Sequence, residues 1–261
     1  MKRIHYIILL LCAIPVVLIA QEESAQHALY QEGMTAYQEA DYPKAITLFQ
    51  QVLDEAPQEE KSADKYYNLG CAYFKNGDIA ESVLQFERAY RLAPSDPDIK
   101  FNLTLATSRI EDKMEPRSEF FLTRWLVGAS HWMGLKSWLY LGIITFIIAV
   151  IGFVTYAVSD RTLMRKIGFF GGIALLVVSL FANVMVYHSN RFVNDEQEAI
   201  VMADIVTVKS SPDHSSEDIV VIHSGLKVEQ QRRIGSYVEV MLPDGTIGWV
   251  QEQEIETINN F

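Results

Sequence analysis

Hydrophobic and polar positions divide the chain into zones of different period. From Ser137 to Ser159 run 23 residues without a charge, and from Ile167 to Asn190 another 24. A helix needs about 20 apolar residues to cross a hydrocarbon core of about 30 Å. The two runs therefore predict transmembrane helices over 137–159 and 167–190. A helical hairpin buried in a soluble core is the alternative, and uncharged runs this long argue against it. Residues 160–166, Asp160-Arg161-Thr162-Leu163-Met164-Arg165-Lys166, are short and basic. By the positive-inside rule they form a cytoplasmic loop, which places everything before and after the hairpin on the extracytoplasmic face. Neither run holds an Asp, Glu, Lys or Arg, so neither carries the usual mark of an ion or proton path. Asn183 and His188 are the notable polar groups of the second run. Gly142 and Gly152, with Gly168, Gly171 and Gly172, suit close packing of the pair.

Met1-Lys2-Arg3 followed by uncharged Ile4–Ala20 predicts a secretory signal over 1–20. Ala20-Gln21 is the expected cleavage point, but Leu18 is large for its position, and retention as an anchor stays open. A lipoprotein site at Cys12 is weaker, because Leu11 precedes it. Cleaved or retained, the segment exports the residues C-terminal to it, in agreement with the loop charge.

Residues 21–115 have a helical period and an internal repeat. Gly33, Ala45, Phe49 and Pro57 recur 37 positions on as Gly70, Ser82, Phe86 and Pro94, and Tyr67-Asn68-Leu69 recurs after 34 as Phe101-Asn102-Leu103. The second copy, Tyr66-x-x-Leu69-Gly70-x-x-Tyr73 with Phe86, Ala89 and Pro94, resembles the tetratricopeptide repeat. Ala36 stands where that pattern has Tyr, Thr104 stands for its Gly, and the third copy has no obvious second helix. An ordinary helical bundle is the alternative. Two repeats plus one capping helix are expected. The resemblance implies a groove lined from the first helices by Tyr30, Met34 and Tyr37, then Tyr67, Asn68, Cys71 and Phe74, then Phe101 and Leu105. Members that grip terminal carboxylates use Lys, Arg and Asn there; only Asn68 fits, so a carboxylate clamp is not expected. The aromatics could equally be core.

Residues 116–136 interleave Phe120, Phe121, Trp125, Trp132 and Leu135 with Arg124, His131 and Lys136. They predict an amphipathic segment lying in the lipid interface; a partner-binding helix is the other reading. After a polar linker at 191–198 the period drops to two. Val206 and Val208 alternate ahead of Ser210-Ser211-Pro212, Val220 and Ile222 lead to Ser224-Gly225, Val228 follows, and Tyr237-x-x-Val240 leads into Pro243-Asp244-Gly245, closing with Gly248-Trp249-Val250. Short alternating strands with such turns predict a small barrel over 199–261. Val206–Pro212 and Asp244–Val250 resemble the bacterial SH3 domain. That likeness implies a surface at Tyr237 and Trp249 for protein segments or peptidoglycan; core packing is the other reading of Trp249.

Charge changes the picture in one respect. The net charge of −11 divides into −8 over residues 21–118, −8 over 189–261 and +5 over the rest. Acidic soluble parts argue against nucleic acid, which selects basic surfaces. Once the signal is gone Cys71 is a lone cysteine, so no intrachain disulfide is possible. The six histidines show no HExxH spacing, and no P-loop, Gly-x-Ser-x-Gly or dinucleotide fingerprint occurs. No enzyme, metal site or cofactor is expected.

The whole order resembles the BatE family of aerotolerance-operon membrane proteins. The expected fold is a multidomain membrane protein: an all-α tetratricopeptide-repeat solenoid, a transmembrane helical hairpin and a small all-β SH3-like barrel. The resemblance implies a bacterial inner-membrane scaffold with both soluble domains periplasmic. Its implied partners are other membrane proteins, those with von Willebrand A domains first, alongside membrane lipid. A peptidoglycan-binding anchor or sensor acting through the SH3 domain is the alternative.

Overall fold

The computed structural model describes residues 26–57, 61–114, 117 and 120–259. The signal expected at 1–20 lies outside them. Five helices come first: α1 (residues 26–38), α2 (Tyr42–Glu55), α3 (Ala63–Asn76), α4 (Ile79–Leu92) and α5 (Pro97–Thr107). They form two antiparallel pairs and a fifth, single helix. Each pair closes through the same contact. A Cβ on Gly33 would lie 2.7 Å from the Phe49 ring, and one on Gly70 would lie 2.8 Å from Phe86. Only glycine lets the paired aromatic lie this deep, so the 37-residue spacing is a spacing of contacts. Asp41 and Asp96 cap α2 and α5 by accepting from Lys44 N and from Asp98 N and Ile99 N.

The turns differ between copies. Gly77 ends α3 in the left-handed region at φ 99°, whereas Ala40, 37 residues earlier, holds φ 62° with a Cβ. That conformation costs an L-residue about 1–2 kcal/mol, and glycine's looser unfolded chain returns about 0.4–1 kcal/mol of it. Ala40→Gly is therefore expected to stabilise the protein by about 0.5–1 kcal/mol, read as a raised Tm. A lowered Tm would show that Ala40 is not strained.

Three more helices come next: α6 (Phe121–Ser130), α7 (Leu135–Val158) and α8 (Thr162–Val193). The last two are long and apolar enough to cross a membrane. They pack as an antiparallel hairpin whose backbones nearly touch; a Cβ on Gly152 would lie 2.9 Å from Gly168 O. Helix α7 begins two residues before its uncharged stretch, and α8 outruns its own at both ends. The loop expected at 160–166 shortens to residues 159–161, since Leu163, Met164, Arg165 and Lys166 all favour helix. Likewise α8 continues through Arg191 to Val193 into the expected linker. Helix α6 lies against α8, with Trp125 and Trp138 both packing on Phe181. Phe120, Phe121, Trp125 and Trp132 remain more than half exposed.

The remaining residues form one seven-stranded antiparallel sheet: β1 (Glu198–Val201), β2 (Ile205–Lys209), β3 (Asp218–His223), β4 (Lys227–Ile234), β5 (Tyr237–Met241), β6 (Ile247–Gln251) and β7 (Ile255–Thr257). The order is β3-β2-β6-β5-β4-β1-β7. Alternation is real: Val206 and Val208, and Val238 and Val240, point into one core with Ile222, Val228 and Val250.

The sheet packs on the helical part. Ile200 and Ile258 join Val83, Leu84, Phe86 and Ala106 in a single apolar cluster. After α5 the described residues hold no partner helix; residues 108–114 form turns, and Ile110 and Met114 pack on the sheet's core. The sheet thus covers α4 and the end of α5, where a third pair would have continued.

Charge seals this junction. Arg91, whose side chain is 0% exposed, pairs with Glu198 at 2.7 Å and donates to the carbonyls of Phe192 (3.0 Å) and Asp195 (2.5 Å). Lys227 reaches Glu198 at 2.9 Å and Glu87 at 3.2 Å. Arg88 pairs with Glu256 and donates to Ile258 O. Burial alone would raise the pKa of Glu198, but Lys227 and Arg91 outweigh it and hold the carboxyl below its ordinary value. Burial would lower that of Lys227, and Glu87 with Glu198 reverses the sign. Both groups are therefore charged at neutral pH. Nearby, Tyr90 OH meets His131 Nδ1 at 3.2 Å while both rings pack on Phe192. Burial, then the Lys100 and Lys227 charges, lower the pKa of His131 and keep it neutral.

Candidate functional site

The first helix of each repeat presents one face in register. Tyr30 packs on Phe49 with ring centroids 5.7 Å apart, and Tyr67 repeats the contact on Phe86 at 5.8 Å. Asn68 Nδ2 donates to Tyr30 OH, and Asn102 Nδ2 donates to Tyr67 OH at 2.9 Å. A Tyr–Asn step thus joins α1 to α3 and then α3 to α5. Each phenol oxygen accepts from an amide; Tyr67 gives its own proton to the Cys71 sulfur, whereas Tyr30 keeps its proton to give. Burial raises the pKa of both phenols, so both stay neutral across the physiological range. The Tyr30 hydroxyl suits the carbonyl of an extended peptide.

The nine groove residues named from sequence differ in openness. Phe101 is 67% exposed. Tyr30, Met34 and Tyr37 are half-buried against the core of the first two repeats, which also takes Tyr67. Cys71 and Phe74 pack on the cluster beneath the sheet, and Arg109 covers the Phe74 ring at 5.7 Å. Asn68 and Leu105 are half-buried. Desolvation pushes the Cys71 thiol up to about 11, so it is an unreactive thiol. Asp64 and Asp98 stand near Tyr30 and Tyr67, giving the face an acidic rim.

On the sheet, Trp249 is 4% exposed and Arg232 lies over its ring at 5.3 Å. Tyr237 is half-buried with its hydroxyl unpartnered, and His214 meets its ring edge-on at 5.7 Å. Neither offers an open aromatic face. His223 is tied to the loop after α5. Its backbone N–H donates to Asp112 Oδ2 at 2.6 Å and its Nδ1 lies 3.0 Å from Asp112 Oδ1, a contact that raises its pKa. Among the described residues no three His, Cys, Asp or Glu side chains converge as metal ligands.

Sequence reasoning missed the junction. Its signal lay in the repeat itself. Arg88 and Arg91 stand 37 residues after Gln51 and Asp54, so the second copy puts two cations on a helix face where the first has none.

The helical part is thus a tetratricopeptide-type repeat, the class of fold that serves as a protein-interaction scaffold. Residues 22–116 match the family described as YfiO, outer membrane lipoprotein. Intraflagellar transport protein 70B of Bos taurus is 36% identical over 73 residues, 27% of this chain and 11% of that protein. Intraflagellar transport protein 70A of Bos taurus is 34% identical over a stretch of the same size. The chain spans about a tenth of the length of these relatives.

Proposed function

We propose that the protein is a non-enzymatic adaptor of a bacterial inner membrane, in which α7 and α8 span the bilayer. The short basic loop would face the cytoplasm, and the helical repeats and the sheet, read as an SH3-like domain, would share the periplasmic side. Helix α6, with its exposed aromatics, would lie in the lipid interface. The groove of α1, α3 and α5 would bind an extended segment of another membrane protein. The observation carrying this reading is the Tyr–Asn ladder beside the open Phe101. The repeat's other face is committed to the sheet and α8, and the ladder's face retains the Tyr30 hydroxyl as a donor. On the resemblance to BatE, the partners are A-domain membrane proteins of a Bat complex.

Phe101 supports the ladder's face without belonging to any buried cluster, so it separates binding from folding. Phe101→Ala is expected to lower recovery of A-domain membrane proteins at least 10-fold, a loss of about 1.4 kcal/mol, with Tm unchanged. The measurement is crosslinking and affinity capture of the full-length protein from its native membrane, with mass spectrometry. Undiminished capture would remove the groove from the mechanism. Recovery of wall fragments alone would favour a peptidoglycan anchor, which must first move Arg232 off Trp249.

A further inference from the structure

Asn183 is an exposed amide on an apolar helix. Its Nδ2 donates to Ser179 O at 2.9 Å within α8, and among the described residues its carbonyl oxygen has no donor. If α7 and α8 are membrane spans, the reading on which this inference rests, the amide is deep. Counted from the middle of the uncharged run 167–190, it lies about 7 Å from the midplane at about 1.5 Å per residue. The half-thickness of the hydrocarbon is about 15 Å. A polar group at that depth with a free acceptor and a second N–H favours any arrangement that pairs both.

The surface around it is hollow. Gly142 has no side chain where the amide lies; a Cβ there would be 3.4 Å from Nδ2. Leu139, Ile143, Phe146 and Val186 wall a cleft of about 240 Å³, room for side chains of another helix. Ser179 is out of reach of such a helix, because it is 4% exposed and its hydroxyl donates inward to Gly142 O at 2.9 Å. The amide is the polar group left to be met.

We propose that this cleft seats the hairpin of a second copy of the chain, in a two-fold dimer whose axis runs along the membrane normal, with the two Asn183 amides paired across it. The bilayer makes the second copy the natural occupant. Two identical chains share topology and depth, so rotation about the normal brings each residue to the level of its own counterpart. An amide is both donor and acceptor, and two of them complete each other with two N–H···O bonds. A foreign helix would have to carry a matching polar group at the same depth.

The test uses full-length protein with Cys12→Ala and Cys71→Ala, in membranes. Asn183→Cys should give a band of twice the monomer mass on mild oxidation, and Val177→Cys, 62% exposed on another face, should not. With the natural cysteines present, Asn183→Leu should weaken the dimer about 3- to 30-fold in detergent by sedimentation, with an unchanged Tm. A monomer at all concentrations, or a crosslink only to a chain of different mass, would overturn the dimer. Carbonate extraction separates the two readings: protein that stays in the membrane as a monomer defeats the dimer alone. Protein released by carbonate defeats the spans and the dimer with them.

Discussion

Arg91→Ala is expected to destabilise the protein by about 3–5 kcal/mol, the range for breaking a buried, hydrogen-bonded ion pair from one side. The guanidinium is fully enclosed and serves three elements at once: it ends on Glu198 of β1 and on two carbonyls at the close of α8. Alanine leaves those carbonyls without their donor beside the packed rings of Phe192 and Tyr90. Lys227 would still neutralise Glu198, which puts the loss toward the lower end of the range. The matched control is Asp54→Ala, the equivalent position of the first copy, which is exposed and should change stability by no more than about 0.5 kcal/mol. Thermal unfolding in detergent reads both. Proteolysis at residues 194–197 should accelerate in the Arg91 variant alone, because the clamp holds that segment. Equal Tm values for the two variants would mean that the charge cluster is ornament on an apolar interface.

Phe86→Ala should cost about as much, 3–5 kcal/mol, for a different reason. The ring is 1% exposed, closes the second helix pair over Gly70, supports Tyr67 and shares a cluster with Ile200 and Ile258 of the sheet. Removing it opens a cavity between two cores and withdraws the backing from the groove. The variant should therefore lose partner capture together with stability, whereas Phe101→Ala loses capture alone. Phe86→Leu, which keeps most of the volume, should recover most of the loss. A Phe86→Ala protein that melts within about 1 kcal/mol of the parent would show that the pair can collapse around the gap.

What was legible in the sequence was whatever is repeated or periodic. The Gly33–Phe49 and Gly70–Phe86 contacts lie inside one helix pair each, so a single spacing displayed both. The two apolar helices stood out because lipid-length runs without charge have few other uses, and the strands of the sheet because Val206 and Val208 keep a period of two. The junction was not legible, since an ion pair between Arg91 and Glu198 joins residues 107 apart and leaves no period. Trp249 was left between surface and core for the same reason: Arg232, which covers it, reaches it across the sheet. Helix ends were misplaced where charge was treated as a boundary. Arg165, Lys166 and Arg191 sit inside α8, because long cationic side chains can carry their charge away from the apolar surface. The groove's residues were named from the repeat, but their openness was not, as half-burial depends on neighbours that no motif specifies.

The bond from Arg88 to the carbonyl of Ile258 joins residues 170 apart, and it sets an order of events during synthesis. Ile258 leaves the ribosome only after both apolar helices have done so. Until then the face of α4 that carries Arg88 and Arg91, and the apolar cluster that Ile200 and Ile258 complete, wait without their cover. Closures between such distant residues are slow. The helical part therefore passes through an interval as a sticky half-product; on the proposal that α7 and α8 span a membrane, its length is set by how fast that hairpin is inserted. A defect in insertion should announce itself far from the hairpin, as aggregation or cleavage of the repeats.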